Sequence, residues 1–135
     1  MKNIFYFMLA MCLVLPLAQA KPPEAPANYL EKKNSLEGNK DALTKGQKLY
    51  EKRCQKCHGE KGDGLGKSAK DLNPAVTAFN APGYLKGKKD GQLFWIIEQG
   101  SPNTDMDSYG PGTSYNHSED EIWAVVAYIR SKFTK

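Results

Sequence analysis

The sequence predicts an all-α domain of three to four helices. Apolar residues recur at helical spacing in three stretches, each with its own start or stop signal. No stretch of any length alternates apolar and polar residues as a strand would. The segments between are rich in glycine and proline, which marks them as loops.

The first helix is expected from Asp41, which can cap it, to Cys54, with Leu43, Gly46, Leu49 and Tyr50 on one face. Gly46 stands mid-helix, where glycine costs about 1 kcal/mol against alanine. A glycine there points to a close helix crossing, the other reading being simple tolerance. The second helix spans Gly91 to Gln99, carries Leu93, Phe94, Ile96 and Ile97, and stops at Gly100. The last helix opens on a capping box, Ser118 with Glu121, while Glu119 and Asp120 suit its positive end. Ile122, Val125, Val126, Ile129 and Phe133 form its stripe. The acidic run is therefore helix chemistry and not a metal site.

Between the first two helices the chain reads Cys54-Gln55-Lys56-Cys57-His58, the Cys-x-x-Cys-His string of covalent c-type haem attachment. Two thiols add across the two vinyl groups on one porphyrin edge, and the adjoining imidazole reaches the iron. A zinc site wants four ligands at short paired spacings, yet the other histidine, His117, is far downstream. A thioredoxin-like pair needs a βαβ setting, and a disulfide leaves His58 unexplained. The expectation is one covalent haem c with its iron, Cys54 and Cys57 as thioethers and His58 as proximal ligand. The three to four helices would wrap round that haem. Trp95 of the second helix suits either a place against the haem or a propionate, or an ordinary core or surface position. Gly59-Glu60-Lys61-Gly62-Asp63-Gly64-Leu65-Gly66 comes directly after the attachment string. No strand precedes it, so it is no phosphate loop; its glycines would let backbone pass close to the haem edge.

Residues 1–20 read as a secretory signal peptide: Lys2, an apolar stretch from Ile4 to Leu15, Pro16, and an Ala18-Gln19-Ala20 cleavage site. The stretch is shorter than the ~20 residues a bilayer span needs, so an uncleaved anchor is the weaker reading. Cys12, mid-stretch after the bulky Met11, makes a poor lipoprotein site. Export and thioether attachment both point to the periplasm. Residues 21–40 read as a Pro-rich, polar tail, extended and solvated from Lys21 to Asn28, and residues 41–135 as one haem-binding domain. Of the chain's 19 basic and 15 acidic residues only Lys2 falls in the leader. The remaining charge is mildly positive, and no arginine cluster suggests nucleic acid.

With the leader removed, Met106 is the sole methionine. It lies in a turn-rich loop among Thr104, Asp105, Asp107 and Ser108, a poor place for a core-filling side chain. It is the expected distal ligand, since His/Met coordination is usual for such haems. His117 is the rival, read as a surface residue at the entry to the last helix, and an open or water-bound iron is the third option.

These residues together resemble a class I mono-haem cytochrome c, in particular the small bacterial periplasmic type related to the cytochrome c domains of cbb3-type oxidases. The resemblance spans Ala42 to Phe133 in five blocks: Gly46-x-x-Leu49-Tyr50 joined to Cys54-x-x-Cys57-His58-Gly59-x-x-Gly62-Asp63-Gly64; Asp90 to Ile97 with Gly100; Thr104-x-Met106; and Ile122 to Arg130. It implies the cytochrome c fold, and a crossing of Gly46 and Tyr50 against Val125 and Tyr128. It also implies that Pro74 supplies the carbonyl that accepts a hydrogen bond from the His58 ring. Asp107 departs from the proline common after the methionine in relatives; its carboxylate would repel an acidic partner or hydrogen-bond locally.

The function so implied is a monomeric periplasmic one-electron carrier, not an enzyme. It would pass electrons between respiratory or substrate-oxidising complexes and a terminal oxidase or reductase. Its partners would be redox proteins, without nucleic acid or a small-molecule substrate. The alternatives are a tethered electron-transfer subunit of a larger oxidoreductase, and a haem enzyme or gas sensor with open iron. Lys48, Lys52, Lys56, Lys61, Lys67 and Lys70 lie near the attachment string and are expected to steer an acidic partner.

Overall fold

The computed structural model describes residues 23–135, and among them it holds helices and no strand. The leader, from Lys2 to Ala20 with Cys12, lies outside the described residues, as do Lys21 and Pro22 of the tail. The helices are α1 (Ala27–Leu30), α2 (Lys40–Leu49), α3 (Gln55–His58), α4 (Asp90–Gln99) and α5 (Glu119–Phe133). A π turn, Tyr50–Cys54, joins α2 to α3, and a 3-10 turn occupies Ala69–Asp71. None of these helices is long and apolar enough to cross a membrane.

The cap of α2 is Asn39 and not Asp41. The Asn39 side chain accepts from the N–H groups of Asp41 and Ala42, both at 3.0 Å. Asn39 holds the extended backbone that a cap requires. Asp41 is already inside the first turn, where its charge favours the positive helix end. Helical winding continues past Cys54 to His58 because the π turn absorbs one extra residue. One added residue rotates everything after it by ~100° on a helix of 3.6 residues per turn. The attachment string is thereby turned relative to the buried face of α2.

The main packing is α2 across α5. A Cβ on Gly46 would overlap the carbonyl of Ala124, so the helix backbones touch there. Tyr50 is 1% exposed; its ring lies 5.4 Å from that of Tyr128 and 5.3 Å from that of Phe133. Gly46 meets Ala124 and Tyr128 at the expected crossing. Val125 is buried beside it and lines a small cavity with Leu49 of α2 and Cys54. The capping box of α5 is present in both directions.

Arg130 joins α5 to the segment before α4. Its Nε donates to Asp90 Oδ1 at 2.7 Å, and its two terminal nitrogens donate to the carbonyls of Leu85 and Lys88. A guanidinium fork can hold three acceptors at once. Phe94 then packs on Trp123 with ring centroids 4.3 Å apart, closing the core between α4 and α5.

The tail expected to be solvated is docked. Ala25 is 4% exposed, and its N–H donates to Gln92 Oε1 at 2.7 Å. Asn34 is buried and donates to the Trp123 carbonyl at 2.9 Å. Lys32 Nζ lies 5.0 Å and 4.8 Å from the ring centroids of Tyr29 and Phe94. Proline-rich composition conceals these ties because polar side chains of α4 and a helix carbonyl make them, rather than an apolar stripe.

Candidate haem site

Cys54 ends the π turn and Cys57 lies three residues on in α3, both as unpaired, half-buried thiols. Burial first, and then the neighbouring Cys57, push the Cys54 thiol up to about 12. His58 is the last residue of α3. Its ring stacks on Phe79, with centroids 4.5 Å apart and planes within 12°. Its Nδ1 lies 3.4 Å from the Thr77 carbonyl oxygen. Burial holds the imidazole below the usual histidine range, with the Thr77 contact opposing in part. A neutral ring with its proton on Nδ1, towards Thr77, keeps its lone pair on Nε2, the form iron requires.

The backbone partner is therefore Thr77, in place of the Pro74 that the resemblance implied. The reason lies in the glycine turn. Gly64 takes φ +73°, and a Cβ on it would overlap the Val76 carbonyl. The Asn80 N–H donates to the Gly62 carbonyl at 3.1 Å. These two contacts lay residues 76–80 along the turn and bring Thr77 beneath the ring, while Pro74 stays exposed. The same turn folds back on α3. Gly64, Gly66 and Ser68 donate to the carbonyls of His58, Cys57 and Lys56 at 2.9, 3.1 and 2.8 Å. Those are last-turn carbonyls that a helix end leaves without partners, so the turn holds the attachment string rigid from outside.

Met106 is half-buried and packs against the core. Its N–H donates to Thr104 Oγ1 at 3.2 Å, and its carbonyl accepts from the Ser101 N–H at 3.1 Å. Tyr109 and Gly110 donate to the carbonyls of Ile97 and Glu98, each at 3.0 Å. The methionine loop thus hangs from the C-terminal end of α4. Asp107 hydrogen-bonds locally, accepting from the Tyr115 hydroxyl at 3.2 Å. Trp95 is half-buried on α4, outside the core cluster.

His117 is not the surface residue expected. Its side chain is 15% exposed, and its Nδ1 lies 3.5 Å from Glu121 Oε2. Its Nε2 is buried without a hydrogen-bond partner, as is Arg53 Nε. Both residues line one small cavity with Cys54 and Tyr109. The Arg53 guanidinium lies 5.0 Å from the centroid of the Tyr115 ring. Among the described residues no group of three or more His, Cys, Asp or Glu side chains is placed to hold a metal ion by itself. An iron carried within a porphyrin needs no such cluster. Two neighbouring thiols to bond its vinyl groups and a neutral imidazole to bind the iron are what such a haem requires, and the residues present fit it.

Residues 41–129 match the family described as cytochrome c oxidase, cbb3-type, subunit III. The chain belongs to that family. It is a small mono-haem cytochrome c carrying covalent haem c with its iron. Cytochrome cL from the marine methylotroph Methylophaga aminisulfidivorans is similar at 26% identity, over 75% of this cytochrome and 61% of its own chain, with a TM-score of 0.55. The reducing HAO-like protein complex of Kuenenia stuttgartiensis contains a chain of like fold, 23% identical over 86% of this cytochrome and 53% of that chain, at 0.62. Cytochrome cL from Hyphomicrobium denitrificans gives 23%, 79%, 62% and 0.52. The last two likenesses show the cytochrome c fold alone. The chain spans between 53% and 62% of the length of these three proteins. No curated protein matches it.

Proposed function

We propose that the protein is a periplasmic one-electron carrier with thioethers at Cys54 and Cys57 and iron held between His58 and Met106. Haem c so bound supplies reversible one-electron exchange between ferrous and ferric iron. His58 contributes a fixed imidazole, its ring stacked on Phe79 and its Nδ1 facing Thr77. Met106 contributes a sulfur that keeps other ligands away and favours a higher potential than a second imidazole would. The observation that carries this reading is the place of Met106. It is the one methionine among the described residues, half-buried at the edge of the core on a loop bonded to α4.

The unpartnered Nε2 of His117 supports a second reading, bis-histidine ligation. The contact of its other nitrogen with Glu121 ties the ring to α5, and its backbone N–H donates to the Tyr109 carbonyl at 2.9 Å. Spectroscopy of the oxidised protein separates the two. Met106→Ala is expected to abolish the weak sulfur-to-iron charge-transfer band, admit imidazole, and lower the potential. If His117→Ala has these effects and Met106→Ala has none, the ligand is His117.

Redox protein partners are proposed to meet the lysine-rich surface beside the attachment string. Lys48, Lys52, Lys56, Lys61, Lys67 and Lys70 are all exposed. Leu65, on the glycine turn among them, is 80% exposed and is the one large apolar side chain so placed among the described residues. An apolar centre within a basic rim suits an acidic partner with an apolar patch. A tethered subunit would dock in the same way.

A further inference from the structure

We infer that residues 23–38 form a strap that fixes the Met106 loop, with Tyr29 as a positioning residue acting through Glu98. The inference rests on the reading of Met106 as the distal ligand. The strap lies before the family match, which begins at residue 41.

Two grips hold the strap. Gln92, 7% exposed, clamps its backbone: Oε1 accepts from the Ala25 N–H at 2.7 Å, and Nε2 donates to the Pro23 carbonyl at 3.0 Å. Asn34 ties its other end to the Trp123 carbonyl of α5. Between the grips α1 lies on α4 so closely that a Cβ on Gly91 would overlap the Tyr29 carbonyl.

There the Tyr29 hydroxyl donates to Glu98 Oε2 at 2.5 Å. Glu98 is 8% exposed, and the same oxygen accepts from Gln99 Nε2 at 2.9 Å. A buried carboxylate is costly to leave without donors, and a short bond from a hydroxyl to a charged acceptor is among the stronger ones. Glu98 also holds the methionine loop. Its own carbonyl accepts from Gly110, and a Cβ on Gly110 would lie 2.6 Å from Glu98 Cγ. One residue earlier, Ile97 accepts from Tyr109. Glu98 therefore links the strap on one side to the loop on the other. Without the Tyr29 donor its carboxylate keeps only the Gln99 amide, and the end of α4 that carries residues 109 and 110 loosens with it.

The test uses the full haem-loaded protein with Tyr29→Phe, which keeps the ring and removes the hydroxyl. Amide hydrogen exchange at Tyr109 and Gly110 should quicken about tenfold, the scale of one lost bond to a charged acceptor, while Val126 in α5 stays unchanged. Imidazole should displace the ferric sixth ligand about tenfold faster for the same reason. Gln92→Leu, which undoes the other grip, should move the same readouts in the same direction, and Lys33→Ala, on the exposed side, should move none. Unchanged exchange at Tyr109 and Gly110 in a folded Tyr29→Phe protein overturns the strap, whatever ligand the iron holds. If Met106→Ala leaves the wild-type spectrum intact, the ligand reading fails instead, and faster exchange at those two amides still supports the strap.

Discussion

Glu121 serves three neighbours at once. Its carboxylate accepts from the Ser118 N–H at 3.0 Å and lies 3.5 Å from both Lys45 Nζ and His117 Nδ1. The cap bond, chiefly, holds its pKa below the ordinary 4.5. A carboxyl depressed in the fold contributes stability that is complete above its unfolded value and fades as pH falls through the folded one. Glu121→Gln should therefore lower the melting temperature at pH 7 by a few degrees, taking ~0.5–1 kcal/mol for a charge at a helix start. That gap should close as thermal melts are taken at successively lower pH below 4.5. A gap that widens towards acid would contradict the assignment. The attachment residues Cys54, Cys57 and His58 were legible because their chemistry lies within five consecutive letters. Thr77 was not, since its role comes from a backbone carbonyl 19 residues away, placed by the packing of Gly64 on Val76. No side-chain identity signals such a carbonyl.

Helix boundaries came through clearly where apolar period and cap agreed, as in α5. They blurred between α2 and α3, because a π turn leaves the apolar pattern almost unchanged while rotating the residues beyond it. The α2–α5 crossing yields a prediction at this scale. Gly46→Ala should gain up to ~1 kcal/mol of helix propensity. It also forces a methyl onto the Ala124 carbonyl, where overpacking costs ~1–3 kcal/mol and backbone cannot yield as a side chain tip would. The expected net result is a lower urea midpoint and a lower melting temperature in the haem-loaded protein. An alanine variant as stable as the wild type would mean that the two backbones do not meet there. The N-terminal strap leaves no such trace in the letters. Gln92, Glu98 and Asn34 read as surface residues in a sequence, yet all three are buried and serve as its fastenings.

Across the whole molecule the charge is modest, +4 over the full chain, so its arrangement matters more than its sum. Lys61 shares a cavity of about 490 Å³ with Lys132 and Lys135, which brings the end of α5 alongside the glycine turn. Lys132 therefore belongs to the same basic region. Lys40, sixteen residues before Lys56 along the continuous helical run, is roughly 24 Å away at 1.5 Å per residue. Stopped-flow oxidation of the reduced protein by hexacyanoferrate should slow as salt rises and the Debye length falls to ~8 Å at 0.15 M. Lys56→Glu and Lys61→Glu should each reproduce that slowing at low salt, and Lys40→Glu should not. Rates indifferent to salt and to all three changes would remove the case for steering. The docked strap has a consequence of another kind, in the order of events as the chain is made. Pro23, Ala25, Tyr29 and Asn34 are synthesised early, yet the residues they grip, Gln92, Glu98 and Trp123, emerge 67 to 89 residues later. The attachment string is complete well before any of those partners exists. The strap therefore closes only after α5 has been made, on a chain whose attachment string has long been complete.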